Sequence, residues 1–187
     1  MDPSLKEIPI LETDRLILRQ LTAADSQELL DLYSDEGVTH FLGIDTMKTV
    51  EEAARLVEML DQQHEQGAGL RWGAFEKEEG RLIGTCGYHD WDQRRMRAEL
   101  GYDLDKRRWG QGYMREALLL VLGYGFKELK LHRIEAFVDP EDRRSQNLLS
   151  SLGFQLEGVL RDHDFIKGKF QDDMVYALLH QEWAKKD

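Results

Sequence analysis

The sequence predicts a mixed α/β or α+β fold, and three observations carry that reading. Strand-like runs and amphipathic helical segments are interspersed along the chain rather than segregated. Prolines stand only at positions 3, 9 and 140, so long stretches are free to form regular structure. No repeat, low-complexity tract or Pro/Gly/Ser-rich linker divides the 187 residues, so a single domain over 1–187 is expected.

Arg15 to Gln20 (RLILRQ) reads as the first strand. Thr22-Ala-Ala-Asp25 supplies a helix N-cap, and Leu29, Leu30, Leu32 and Tyr33 give the helix its apolar face. Thr49-Val-Glu-Glu52 is a capping box, followed by Ala53, Leu56, Val57 and Leu60 at helical spacing. Gly67 and Gly69 end that helix. Arg71 to Phe75 and Arg81 to Tyr88 flank the polar turn EKEEG and read as a hairpin. A polar loop, His89 to Arg95, leads to a strand at Ala98 to Leu104. Tyr113 to Phe126 is helical, with Leu118, Leu119, Leu122 and Phe126 on one side. Arg133 to Val138 alternates as a strand does. Ser145 to Leu152 is a short helix closed by a left-handed Gly153 and an apolar Phe154. Two further strands are expected near Gln155 to Arg161 and Met174 to Leu179. The total is six or seven strands and four helices.

Composition narrows the function. Hydrophobic residues make up 41% and charged residues 33%, ordinary for a globular chain. One cysteine, Cys86, excludes an internal disulfide framework or a cysteine-rich zinc site. No apolar run reaches membrane-spanning length, and MDPSLKEIPI lacks a secretory pattern, so cytoplasmic residence is expected. The net charge of −11 argues against a broad nucleic-acid surface and suits a cationic partner, although solubility alone also explains it. Within this acidic chain, Arg94, Arg95, Arg97, Lys106, Arg107 and Arg108 make the middle basic, and Arg143 and Arg144 add a smaller cluster. Such a region could hold a small polyanion. The six histidines show no metal-ligand spacing, and no metal is expected.

Chemistry concentrates in AELGYDLDKRRWGQGYMREAL, a strand, a glycine-rich turn and a helix. Gly110 and Gly112 let backbone approach a ligand, and the helix start presents unpaired N–H groups to an anion. No G-K-[ST] follows, and Arg115 breaks the dinucleotide pattern G-x-G-x-x-G. Alone, a G-x-G turn is a weak signal.

The surrounding residues strengthen it. Arg107-Arg-Trp-Gly-Gln-Gly112 fits the Q/R-x-x-G-x-G/A acyl-CoA motif literally. In a second, preferred register, Trp109-Gly-Gln-Gly-Tyr-Met-Arg-Glu-Ala117 fits W-G-x-G-Y-x-x-E-A. Ala98-Glu-Leu-Gly-Tyr102, Val138-Asp-Pro-Glu-Asp142 with Ser145, Leu152-Gly-Phe154, Glu157-Gly158 with Leu160-Arg-Asp162, and Tyr176 to Trp183 fall at matching spacings. So does the opening Glu12 to Arg19. Together these blocks resemble the GCN5-related N-acetyltransferase (GNAT) superfamily, in its Rim-type ribosomal-protein branch, over nearly the whole chain. Asp142 departs from the branch, which has Asn there.

The resemblance implies a twisted mixed sheet with helices on both faces. The strands at 98–104 and 133–138 should run parallel and splay to admit pantetheine. It implies acetyl-CoA as cosubstrate and direct transfer of acetyl to an amine. Contacts to the coenzyme fall to the backbone of Tyr102 and Leu104, to Trp109, Gly110, Gln111, Gly112, Tyr113, Met114 and Arg115, and to Asp142. Glu99 is the expected base, and Ser145 the expected acid for the departing thiolate; a strand glutamate facing solvent and a helix-capping serine are the bland alternatives. His89-Asp-Trp-Asp92, His163, Asp164 and Asp172 are weaker candidates near the acceptor. Cys86 reads as a small buried hydrophobe.

The favoured acceptor is the N-terminal amine of a ribosomal or other basic protein. An α-amine has a pKa near 8 against about 10.4 for lysine, so a weaker base suffices. A small amine such as a polyamine, an aminoglycoside or an amino-acid derivative is the second reading. A CoA-binding module without catalysis is the third. Homodimers are common among such relatives, and nothing in this chain demands one.

Overall fold

The computed structural model describes residues 7–185. The first six residues, part of the ten-residue opening read above for a leader pattern, lie outside the described part. Eight strands form one sheet: β1 (Leu11–Glu12), β2 (Leu16–Arg19), β3 (Leu70–Glu76), β4 (Leu82–Asp92), β5 (Arg97–Leu104), β6 (Arg133–Val138), β7 (Gln155–Ile166) and β8 (Lys169–Leu179). Their spatial order is β1-β2-β3-β4-β5-β6-β8-β7. Helices are α1 (Ser26–Tyr33), α2 (Glu36–Thr39), α3 (Val50–Glu65), α4 (Tyr113–Lys127), α5 (Arg143–Leu152) and α6 (His180–Trp183). The mixed architecture is as expected, with the two-residue β1 added to the strand count and the one-turn α2 and α6 added to the helices.

Alternation along the central strands sorts side chains to two cores. Leu70, Trp72 and Ala74 of β3 and Ala98 and Leu100 of β5 pack with Leu118, Val121, Leu122 and Phe126 of α4 and Leu149 and Leu152 of α5. Phe75 and Leu82 pack on the other face with Leu29 and Leu32 of α1 and Ala53 and Val57 of α3. Helices therefore cover both faces.

Local signals hold where they were expected. Thr49 Oγ1 accepts from Glu52 N, and Glu52 accepts from Thr49 N, which closes the capping box. Gly153 takes φ 94°, and Phe154 behind it is buried. Two boundaries need correction. The supposed loop at His89–Arg95 is mostly strand, because β4 continues to Asp92 and pairs His89 with Glu99 and Asp92 with Arg97 around a bulge. Helix α5 starts at Arg143 rather than Ser145, because Asp142 caps it, accepting from Arg144 N at 3.2 Å and Ser145 N at 3.1 Å.

One pairing shapes the site. Strands β5 and β6 run parallel, yet they match only at Arg97/Arg133, Ala98/Ile134 and Glu99/Glu135. Beyond Glu99 the two diverge, leaving the facing edges of Leu100–Leu104 and Ala136–Val138 unmatched.

Candidate active site

A cavity of about 840 Å³ opens at that divergence. Its wall includes Glu99, Tyr102, Leu104, Trp109, Gly110, Gly112, Tyr113, Met114, Arg115, Asp142 and Ser145. The geometry thus brings together eleven of the twelve site residues expected from sequence. Gln111 is absent from the wall: its amide donates to Arg107 O, and its own carbonyl accepts from Arg15 Nη1.

The cradle is built from backbone. Gly110 and Gly112 adopt φ of 74° and 82°, a left-handed conformation that is strained for residues with a Cβ. They turn the chain so that the first-turn N–H groups of α4 lack intrahelical partners. Nearby side chains hold the loop rigid. Trp109 Nε1 donates to Leu104 O at 2.8 Å, and the Arg144 guanidinium lies 3.6 Å over the indole. Tyr113 donates its hydroxyl to Glu76, which also receives Arg108 at 2.6 Å. Much of the basic middle is neutralised locally: Arg95 pairs with Asp92, Arg97 with Glu135, and Arg107 with Asp105. Among these clusters, Arg108 and Arg144 reach the cavity wall. An anion there would meet the helix start and a few cations rather than the whole basic stretch.

An acetyl-CoA-shaped ligand fits these features. The unmatched strand edges supply hydrogen-bonding backbone for an amide-bearing arm, and the glycine cradle faces the same cavity.

Glu99 stands on the cavity wall at the last matched pair of β5 and β6. Its side chain is 23% exposed, and burial, then Asp90, Asp173 and Glu135, push its pKa up to about 7. His163 pulls in the opposite direction. A carboxyl near the working pH is what a general base requires. His89, one strand over, is the partner the sequence left in a loop. Its Nδ1 lies 3.1 Å from Glu99 O, and its Nε2 lies 3.3 Å from Glu99 Oε1. Burial and then Arg71 hold the imidazole below its ordinary pKa. A carbonyl only accepts, so the neutral ring carries its proton on Nδ1, and the Nε2 lone pair faces the carboxyl. That arrangement favours protonated Glu99, which can donate to Nε2.

Ser145 donates its hydroxyl to Asp142 Oδ2 at 2.7 Å. Asp142 therefore both caps α5 and orients Ser145. The Tyr102 hydroxyl is buried beside Ser145 without a hydrogen bond of regular geometry, and burial raises its pKa. Nothing in the sequence marked that hydroxyl, because Tyr102 was read through its backbone. Of the weaker candidates, His163 sits 2.8 Å from Asp173 and stacks on Phe137, and Asp164 reaches the cavity wall. Asp172 instead accepts from Asp162 N in the β7–β8 hairpin. Cys86 is fully buried, its thiol pushed up to about 12 by burial, and carries no reactive thiolate.

A second, open groove of about 1110 Å³ meets the first at Glu99 and Phe137. Asp90, Asp92, Glu135 and Glu157 line it with Glu99, against Arg97 and His163. Among the described residues, no group of His, Cys, Asp or Glu is arranged to hold a metal ion, and no helix is long and apolar enough to cross a membrane.

A parallel strand pair opening beside a glycine-rich helix start, with a poised carboxyl at its mouth, defines an acyl-CoA-dependent transferase. Residues 15–155 match the model of the acetyltransferase (GNAT) domain, and the chain belongs to that family of N-acetyltransferases. It is 40% identical over 174 residues to an uncharacterized N-acetyltransferase, p20, of Bacillus licheniformis, covering 93% of this chain and 98% of that one. It is 30% identical over 183 residues to the [ribosomal protein uS5]-alanine N-acetyltransferase of Escherichia coli K12, covering 93% and 92%. The fold superimposes on a GCN5-related N-acetyltransferase from Brucella melitensis with a TM-score of 0.86 at 23% identity, covering 95% and 81%.

Proposed function

We propose that this N-acetyltransferase takes acetyl from acetyl-CoA to the N-terminal α-amine of a ribosomal or other basic protein. The observation that carries the reading is the Glu99 carboxyl, held near pKa 7 where the coenzyme cavity meets an acidic groove. A base of that strength matches an α-amine near pKa 8 better than a lysine near 10.4. Asp92, Glu135 and Glu157 in that groove are paired with arginines, so attraction of a cationic segment falls to Asp90 and to ionised Glu99. Likeness to the uS5-alanine enzyme supports the same acceptor class. A ribosomal acceptor places the protein in the cytoplasm.

Acetyl-CoA, when bound, supplies the activated acetyl group. Backbone along Tyr102–Leu104 holds its arm. Gly110, Gly112 and the start of α4, with Tyr113, Met114 and Arg115, hold its phosphates. Glu99 takes the acceptor's ammonium proton and shares it with His89 Nε2. Ser145, turned from Asp142, would protonate the departing thiolate and regain its proton from solvent.

The test is free-thiol release from acetyl-CoA across ribosomal-protein N-terminal peptides, polyamines, aminoglycosides and amino-acid derivatives. Preference for one peptide class is expected. Turnover confined to small amines would overturn the acceptor assignment, and tight CoA binding without turnover would favour the non-catalytic module.

A further inference from the structure

Arg71 on β3 is a half-buried cation, its side chain 18% exposed, that the transfer steps above do not use. It lies on the sheet face that carries Glu99, in register with Gly87 and, through it, Gly101. Neither glycine has a side chain, so the arginine runs across the sheet into the cavity. A Cβ added at Gly101 would stand 2.8 Å from Arg71 Nη1 and 3.6 Å from the His89 ring.

The rest of the guanidinium is fixed from behind. Nε donates to Thr85 Oγ1 at 2.6 Å, and Nη2 donates to Asp103 Oδ2 at 2.8 Å. Asp103 also accepts from the Tyr33 hydroxyl at 2.8 Å, the Thr85 hydroxyl at 2.7 Å and Thr85 N at 3.0 Å. This carboxylate is saturated and serves to aim the arginine. Nη1 makes no hydrogen bond among the described residues, and Arg71 lines the cavity wall.

We propose that Arg71 Nη1 binds the carbonyl or carboxylate oxygen next to the acceptor amine, so that the site selects α-amino acyl groups over simple amines. The inference rests on the proposed amine acetylation. Glu99 and Gly101, two residues apart on one strand, are separated by about 7 Å. An α-amine at Glu99 and its adjoining carbonyl oxygen at Arg71, each hydrogen-bonded at about 3 Å, span that interval. Phe41, Ile44, Met59 and Leu60 line the same cavity and suit an apolar side chain on the acceptor. A polyamine or alkylamine leaves the Nη1 donors unpaired.

The experiment compares leucinamide, a leucyl dipeptide, free leucine and 3-methylbutylamine. The last keeps leucine's side chain and amine but lacks the carbonyl. Binding in the presence of CoA is read by calorimetry, and turnover by thiol release. A hydrogen bond from a charged donor predicts a preference of ~10- to 100-fold for leucinamide over 3-methylbutylamine. Arg71→Lys keeps a cation beside Asp103. Gly101→Ala keeps Arg71 but sets a Cβ 2.8 Å from Nη1, forcing the planar guanidinium off its aim. Both variants should lower that ratio about tenfold or more. The proposal is overturned if the wild-type ratio is near one, or if both variants weaken the two amines equally. Better binding of the amide and dipeptide than of free leucine identifies a peptide N-terminus as the source. The reverse identifies a free amino acid and keeps Arg71's role. If no amine releases thiol, acetylation of amines fails as a reading, while the binding ratio still decides the role of Arg71.

Discussion

Replacing Glu99 with Gln should push activity and stability in opposite directions, by amounts that depend on pH. The folded protein raises this carboxyl from 4.5 to about 7. The folded state therefore holds the proton more tightly than the unfolded chain, so stability falls as pH rises between those values. At 1.36 kcal/mol per pKa unit, the ionised side chain destabilises the fold by about 3 kcal/mol at pH 8.5, and by less than half of that at pH 5.5. Glutamine, similar in shape and uncharged, escapes this penalty. The melting-temperature advantage of Glu99→Gln should widen by about 4–8 °C between pH 5.5 and 8.5, for a chain of this size. Turnover should fall ~10²- to 10⁴-fold, the usual contribution of a general base, while CoA affinity is retained. The assay is thermal unfolding at both pH values beside thiol release. An equal stability offset at the two pH values would refute a carboxyl titrating near 7. Undiminished turnover would refute its role as base.

Other residues give sharper or milder effects. His89→Ala removes the Nε2 acceptor that favours protonated Glu99, so the rise of kcat/KM with pH should move to lower pH, as a pH–rate profile will show. Asp142→Ala should lower stability by about 1 kcal/mol through loss of the α5 cap, whereas Asp142→Asn, also a good cap, should melt close to wild type. Gly112→Ala forces a Cβ into a left-handed turn at φ 82°; it should cost about 1–2 kcal/mol and raise the KM for acetyl-CoA in steady-state kinetics.

What could be read from the sequence was mostly local. The Thr49/Glu52 capping box, the Gly153 helix end and the strand alternation at 133–138 each act within a few residues, and each forms as written. The glycine cradle was legible because a turn with two positive φ angles leaves its mark in residue type. Less visible was whatever depends on strands meeting. His89 looked like loop because its polar neighbours hide the extension of β4, and only the cross-strand register sets it against Glu99. Arg71 looked like an ordinary strand residue, since Gly87 and Gly101 clear its path from two other strands. The elevation of Glu99 comes first from its burial and then from Asp90, Asp173 and Glu135, each on a different strand. The Asp142 cap is legible in sequence as an acidic residue just before a helix.

The brief contact between β5 and β6 also has a mechanical side. Three matched residue pairs join the five strands on the N-terminal side of the sheet to the three on the C-terminal side, making a seam that the helices must brace. A ligand threaded along that seam becomes a guest strand, bonding to both halves at once. Amide hydrogens on β5 and β6 should then exchange more slowly together, as if the sheet had been sewn shut. On the proposed reading, the weakest line in the sheet is also the line along which acetyl-CoA would lie, completing the architecture that the polypeptide leaves open.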